Sequence, residues 1–325
     1  DGISYVEGQQ VIFGPGALWY IHTPSRTLVG PVVQPPNEIN YPHVFDINAD
    51  GYADLVSDNQ TTLEARLGTG LGMFSTVPNF TVPIVTGASF QSTTDLESGD
   101  PYSSGIPSTL TIGFSIFPVI GFAQEVQHTF PTPIVKNLTG LFGPGKAVFE
   151  VEFSKSFREW VVSYNDITIS GFRLFGFINS NTTPPTITPL IPTAFNNSFL
   201  RVRDMNGDGI DDLITQTAFN QVTVYIMNAN HTIASTVTSV PVVAPGVTTI
   251  YDMDVEDFDG NGIGDIAVLM GPSGGSGPLL VIVDNYTGFF MTPVVVYTTP
   301  PAQTNGTIKV IQGPTKSDAK ELAVS

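Results

Sequence analysis

Three stretches of this chain set short oxygen-bearing side chains at every second position and then run straight into apolar, strand-forming residues. They are Asp46-Ile-Asn48-Ala-Asp50-Gly51-Tyr52-Ala-Asp54 before Leu55-Val-Ser57, Asp204-Met-Asn206-Gly-Asp208-Gly209-Ile210-Asp-Asp212 before Leu213-Ile-Thr215, and Asp257-Phe-Asp259-Gly-Asn261-Gly262-Ile263-Gly-Asp265 before Ile266-Ala-Val268. Gly51, Gly209 and Gly262 stand at the sixth position, where a tight turn needs a residue that tolerates positive φ. Carboxylates a few ångström apart repel one another unless a cation relieves them. Calcium takes six to eight oxygen ligands at about 2.3–2.6 Å, which suits such a nonapeptide. The spacing predicts a turn around a hard ion that feeds a strand, three times over, and the alternative is an acidic turn without metal.

An EF-hand opens in the same way but closes with a bidentate Glu at position 12 between two helices. Position 12 here is Ser57, Thr215 or Val268, and the closing acid is at position 9. Asp-Leu-Val, Asp-Leu-Ile and Asp-Ile-Ala-Val after the loops resemble the FG-GAP repeats of integrin α-subunits and the related VCBS repeats, which form calcium-binding β-propellers. That resemblance implies a metal held by side chains at positions 1, 3, 5 and 9 and by the backbone carbonyl at 7. Carried onto this sequence, the ligands are Asp46, Asn48, Asp50, Tyr52 and Asp54, then Asp204, Asn206, Asp208, Ile210 and Asp212, then Asp257, Asp259, Asn261, Ile263 and Asp265. Three Ca2+ sites are expected.

The repeat extends beyond these loops. The 158 residues between Asp54 and Asp212 make three periods of about 53, and strand-like segments stand near the two intermediate positions, Leu110-Thr-Ile-Gly113 and Trp160-Val-Val-Ser163. One period outward lie Tyr5-Val-Glu-Gly8 and Glu321-Leu-Ala-Val-Ser325, so anchors stand at 5, 54, 110, 160, 212, 265 and 321. Behind most of them follows an alternating strand, as in Ala17–Ile21, Leu63–Leu67, Phe172–Phe177, Val222–Ile226 and Leu279–Val283, and then a Val/Pro-rich strand such as Thr81–Val85 or Pro293–Tyr297. Four strands at this spacing describe a propeller blade. The expectation is an all-β, single-domain propeller over 1–325, built of four-stranded antiparallel blades. Seven blades fit the anchors, six are the alternative, and both end units read as incomplete. The unit over 95–150 fits worst and reads as carrying an insertion at Asp95–Asp100. Two units carry fewer acids and an added cation: positions 1, 3 and 5 are Glu152, Ser154 and Ser156 before Trp160, and Gly313, Thr315 and Ser317 before Glu321, with Lys155 and Lys316 inside. No metal is expected there.

Twelve Lys and Arg against 29 Asp and Glu give a formal charge of −17, which argues against nucleic acid and anionic membrane as partners. No cysteine is present, which excludes disulfides and thiolate chemistry. No apolar run reaches the roughly 18 residues of a membrane helix, and the opening residues do not resemble a signal peptide. Asn-x-Ser/Thr sequons begin at Asn59, Asn79, Asn137, Asn181, Asn196, Asn230, Asn285 and Asn305, and in a secretory context they would carry glycans.

Catalytic patterns are weak. Gly271-Pro-Ser273-Gly-Gly275 has the spacing of a nucleophile elbow, but an elbow leads into a helix and this segment leads into Leu279-Leu-Val-Ile-Val283. His22, His43, His128 and His231 are scattered and read as surface or turn residues, Trp19 and Trp160 as core, and Asp252, Asp254 and Glu256 as a solvated acidic edge. The expected function is a non-enzymatic, secreted, calcium-binding structural or adhesive module. Its expected partners are an extracellular protein or glycan, or other copies of itself through strand donation into a surface polymer. The alternative is a carbohydrate-binding propeller or polysaccharide-active enzyme on the same scaffold.

Overall fold

The computed structural model describes residues 2–6, 9–14, 18–22, 28–32, 40–50, 52, 54–58, 61–68, 74–75, 77–84, 91–116, 119–129, 132–166, 173–194, 199–239, 248–257, 263–272, 280–284, 294–298, 308–311 and 321–324. Among them, the strands form six four-stranded antiparallel sheets and one two-stranded sheet. Within each four-stranded sheet the strands pair in chain order.

The chain divides into two compact units. The first comprises Asp1–Ser170, Leu174–Pro189 and Gln312–Asp318, and the second Gly171–Arg173, Leu190–Ile311 and Ala319–Ser325. The first sheet contains β1 (Gly2–Val6), β2 (Gln9–Gly14), β3 (Leu18–His22) and β4 (Leu28–Val32). The second contains β5 (Asn40–Phe45), β6 (Asp54–Asp58), β7 (Thr62–Arg66) and β8 (Phe80–Pro83). The third contains β9 (Gln91–Gly99), β10 (Ser108–Ile116), β11 (Val119–Gln127) and β12 (Ile134–Asn137), and the fourth β13 (Lys146–Ser154), β14 (Glu159–Asp166), β15 (Arg173–Asn179) and β16 (Thr186–Ala194). In the second unit, β17 (Leu200–Arg203), β18 (Asp212–Ala218), β19 (Gln221–Met227) and β20 (Ile233–Ser239) form the fifth sheet. The sixth holds β21 (Thr249–Glu256), β22 (Asp265–Gly271), β23 (Leu280–Asp284) and β24 (Val294–Thr298), and β25 (Ile308–Ile311) pairs with β26 (Glu321–Val324).

Burial explains the strand sequences. A second strand has neighbours on both sides and is covered on both faces, so β6 and β22 are buried from end to end and β22 is a near-continuous apolar run. Fourth strands lie at the sheet edge. β12 is largely exposed and β8 is half exposed, and Pro83 stands in β8, a position the missing N–H tolerates only at an edge. Among the described residues, cores lie between the second and third, the third and fourth, and the fifth and sixth sheets. Val56, Leu63, Ala65 and Val82 meet Leu96 and Val126; Leu110, Ile112 and Ala123 meet Val148, Trp160 and Ile178; Ile214, Val224 and Ile226 meet Met253, Ile266 and Val268. Each such aliphatic side chain contributes about 1.5–3 kcal/mol when fully buried.

Anchors 54, 110, 160, 212, 265 and 321 all fall in second strands, whereas Tyr5 falls in β1, the first strand of its sheet. The N-terminal sheet has four strands, contrary to the incomplete unit expected there. Residues 95–100 are not an insertion either, since β9 runs through them and pairs with β10 from Ser108↔Gly99 to Ser115↔Gln91.

Candidate metal loops

The loop between β5 and β6 is organised by its own side chains. Asp46 Oδ1 accepts the N–H of Asn48 at 3.3 Å and of Asp50 at 3.2 Å, and Asn48 Oδ1 accepts the same Asp50 N–H at 3.1 Å. One N–H shared by two oxygens brings positions 1 and 3 to the same side of the turn. Asp50 Oδ1 then accepts Tyr52 N–H at 2.9 Å, and Asn48 Nδ2 donates to Asp50 Oδ2 at 2.9 Å.

The loop between β17 and β18 repeats this pattern. Asp204 Oδ1 accepts Asn206 N–H at 3.2 Å and Gly207 N–H at 2.7 Å, while its Oδ2 accepts Gly209 N–H at 2.8 Å. Asn206 Oδ1 accepts Asp208 N–H at 2.9 Å, Asp208 Oδ1 accepts Ile210 N–H at 2.8 Å, and Asn206 Nδ2 donates to Asp208 Oδ2 at 3.0 Å. Gly209 has φ of 82°, as its position required. Position 4 is left-handed as well, at Gly207 (φ 78°) and at Ala49 (φ 60°), a demand the sequence did not announce. In the third loop Asp257, Ile263 and Asp265 are described, whereas Asp259, Asn261 and Gly262, like Gly51 of the first, lie outside the described residues.

Position 9 plays a part that spacing alone did not reveal. Asp54 and Asp212 open their strands fully buried. Asp54 Oδ2 accepts the N–H of Ile47 at 2.9 Å and its Oδ1 that of Gly68 at 2.7 Å. Asp212 does the same with Met205 at 2.9 Å and Met227 at 2.8 Å. Each carboxylate thus ties the second residue of its loop to the end of the third strand. Ile47 and Met205, the donors within the loop, are themselves buried plugs. Burial pushes both carboxyls up to about 6, against the lowering effect of the two amide bonds, and Asp50 with Asp46, or Asp208 with Asp204, adds to the rise.

The donor set fits a hard cation. The side chains at positions 1, 3 and 5 present carboxylate and amide oxygens, and position 7 supplies a main-chain carbonyl. Among the described residues no three acidic or histidine side chains converge to hold an ion unaided. Any coordination here would draw on the amide oxygen of Asn48 or Asn206 and on that carbonyl as well as on the acids. The unit before Trp160 is built otherwise: Ser154 pairs with Glu159 across a four-residue turn in which Arg158 has φ of 56°, and Ser154 Oγ accepts Phe157 N–H at 3.3 Å.

The third loop approaches the second closely. A Cβ added to Gly264 would lie 2.8 Å from Met205 Sδ and 3.2 Å from Arg203 Cγ. Asp252, Asp254 and Glu256 do not form a solvated edge. They alternate along β21 and pair with β17, Arg201 with Asp252 at 3.5 Å and Asp254 at 3.6 Å, and Arg203 with Glu256.

Trp160 is core, fully buried, whereas His128 is buried too and not at the surface. Its Nε2 lies 2.5 Å from Thr109 Oγ1 and its ring packs against Phe45 and Phe80. The sequons Asn79, Asn137, Asn181 and Asn230 are exposed, and Asn59, Asn196, Asn285 and Asn305 lie outside the described residues. Among the described residues no helix is long and apolar enough to cross a membrane.

Residues 204–268, which span the second loop through the third, match the FG-GAP-like repeat family. The matched stretch, one repeat long, lies on the fifth and sixth blade-like sheets. Among solved structures, the chain is similar to a lectin of Agrocybe aegerita that recognises non-reducing terminal N-acetylglucosamine, at 13% identity, covering 99% of this chain and 83% of that one, with a TM-score of 0.56. It is also similar to BBS1N in complex with ARL6DN, at 11% identity over 98% and 92% of the two chains, with a TM-score of 0.54. No curated protein matches. At such identities the likeness concerns the propeller-like fold alone.

Proposed function

We propose that residues 1–325 form one calcium-braced β-propeller domain, a non-enzymatic extracellular module that binds a protein or glycan partner in a structural or adhesive role. The observation that carries this reading is the repetition of one loop geometry in two sheets, down to the side-chain bond from the Asn at position 3 to the Asp at position 5 and the carboxylate tie at position 9. Asp46, Asn48, Asp50 and the Tyr52 carbonyl would hold one ion. Asp204, Asn206, Asp208 and the Ile210 carbonyl would hold a second, and the third loop, between Asp257 and Asp265, a third. Bound calcium would neutralise the loop acids and fix the loops, and through them the strands they join.

Calorimetric titration of calcium into metal-stripped protein tests this: saturable binding to about three sites is expected on the ligand logic of oxygen-rich loops. Absence of binding at millimolar calcium overturns it. A carbohydrate ligand is the second reading, favoured by the structural likeness to a lectin across nearly the whole chain. Binding on a glycan array, retained after the loop acids are replaced, would support it over a protein ligand.

A further inference from the structure

We infer that Asn230 is the described sequon built to carry a glycan, and that it places the sugar at the end of the fifth sheet that holds the second metal loop. The inference rests on the extracellular reading above. The turn Asn228–Thr232 joins β19 to β20. Strands that pair in chain order alternate direction, so the connection from the first strand to the second and the connection from the third to the fourth leave a sheet at the same end. The Asp212 carboxylate makes that neighbourhood concrete, because it holds Met205 of the loop and Met227, next to Asn228, at once.

The four described sequons differ in what their amides do. Asn230 is exposed, and its Oδ1 accepts both the hydroxyl of Thr232 at 2.6 Å and the Thr232 N–H at 3.3 Å. The turn is further closed by Asn228 N–H donating to the Thr232 carbonyl at 2.8 Å and by Asn228 Nδ2 donating to Thr232 Oγ1 at 3.0 Å. The sequon hydroxyl and carboxamide oxygen are thus locked together on the exposed turn, and no described contact holds the amide nitrogen. Elsewhere the same groups are otherwise engaged. Asn181 Nδ2 donates to the carbonyl of buried Pro101, Asn79 Oδ1 accepts Leu67 N–H at 2.8 Å to brace its own connection, and the hydroxyl of Thr139 in the Asn137 sequon is buried without a partner.

The step is a transfer from a lipid-linked pyrophosphate oligosaccharide. The Asn230 Nδ2–C1 bond forms, the sugar C1–O bond to pyrophosphate breaks with its electron pair leaving on the lipid pyrophosphate, and Nδ2 gives up one proton to base. On Asn181 the same sugar would compete with the donor bond to Pro101. On Asn230 nothing has to move.

The test is secretion of the chain from a eukaryotic host, enzymatic deglycosylation in H2(18)O, and peptide mass mapping. Occupancy at Asn230 is expected to exceed that at Asn181 severalfold, to vanish in Thr232→Ala and to persist in Thr232→Ser. Occupancy of other sequons with Asn230 bare, or equal occupancy at Asn181, overturns the inference while leaving the extracellular reading standing. A secreted chain modified at no sequon likewise overturns the inference.

Discussion

Asp212 and Met227 stand 15 residues apart and are joined by a 2.8 Å hydrogen bond from the Met227 amide to a buried carboxylate oxygen. The other oxygen takes the amide of Met205, so a single side chain closes the loop and fastens it to the third strand. Asp212→Asn replaces one acceptor with an N–H that faces a backbone N–H in the interior. A loss of about 2 kcal/mol is expected from the buried donor left unsatisfied, in urea unfolding carried out in EGTA. Asp54→Asn should behave alike. If either variant matches the parent in EGTA and differs only with calcium, the carboxylate acts as a ligand and not as a tie.

Position 5 is expected to respond in the opposite way. Asp50 and Asp208 are exposed, so Asp50→Asn or Asp208→Asn should shift metal-free stability by no more than about 0.5 kcal/mol. Each should instead remove part of the calcium-dependent rise in Tm, since a tenfold weaker site forfeits about 1.4 kcal/mol of linked stabilisation at saturating metal. Differential scanning calorimetry with and without calcium separates the two classes of residue.

Ala49 holds φ of 60° where the second loop has glycine. A side chain in that conformation costs about 1–2 kcal/mol, and the greater freedom of glycine in the unfolded chain offsets about half of it. Ala49→Gly is therefore expected to stabilise by about 0.5–1 kcal/mol, and Gly207→Ala to destabilise similarly. Thermal melts of the two variants in EGTA check both signs.

Burial holds the imidazole of His128 down at about 3, far below its usual 6.5. The folded state thus binds fewer protons than the unfolded chain between those two values, and stability falls as pH drops from 6.5 toward 3. Between pH 7 and pH 5 the expected loss is about 2 kcal/mol. His128→Leu should abolish this component, read as a smaller difference between urea midpoints at the two pH values. The raised carboxyls of Asp54 and Asp212 act in the opposite sense, losing stability as pH rises through about 6, but they are common to both proteins and cancel in the comparison.

The blade-like sheets were legible because second strands are buried on both faces, which writes them as apolar runs at a steady period, as in Leu213–Thr215 and Ile266–Val268. β9 was hidden for the opposite reason. It is mostly polar, with Leu96 in the core while Thr94 Oγ1 donates to the Val148 carbonyl at 2.7 Å and Asp95 Oδ2 accepts Val151 N–H at 3.0 Å. A strand that satisfies its neighbours through side-chain hydrogen bonds shows little hydrophobic periodicity. The loop donors were legible from their alternation, but the tie at position 9 was not, since its second partner stands 14 or 15 residues downstream. His128 was misread because the rings that enclose it, Phe45 and Phe80, come from distant segments.

The close seat of the third loop on Met205 also bears on protein engineering. Position 8 is Ala53, Asp211 and Gly264 in the three loops, so a consensus averaged over them would install a side chain where only hydrogen fits against Met205 Sδ. The repeats look interchangeable on paper, yet transplanting the first or second loop into the third position would wedge a methyl or a carboxylate between two segments. Shuffled or idealised versions of this chain must therefore retain the native spacing of small and large residues at that seam.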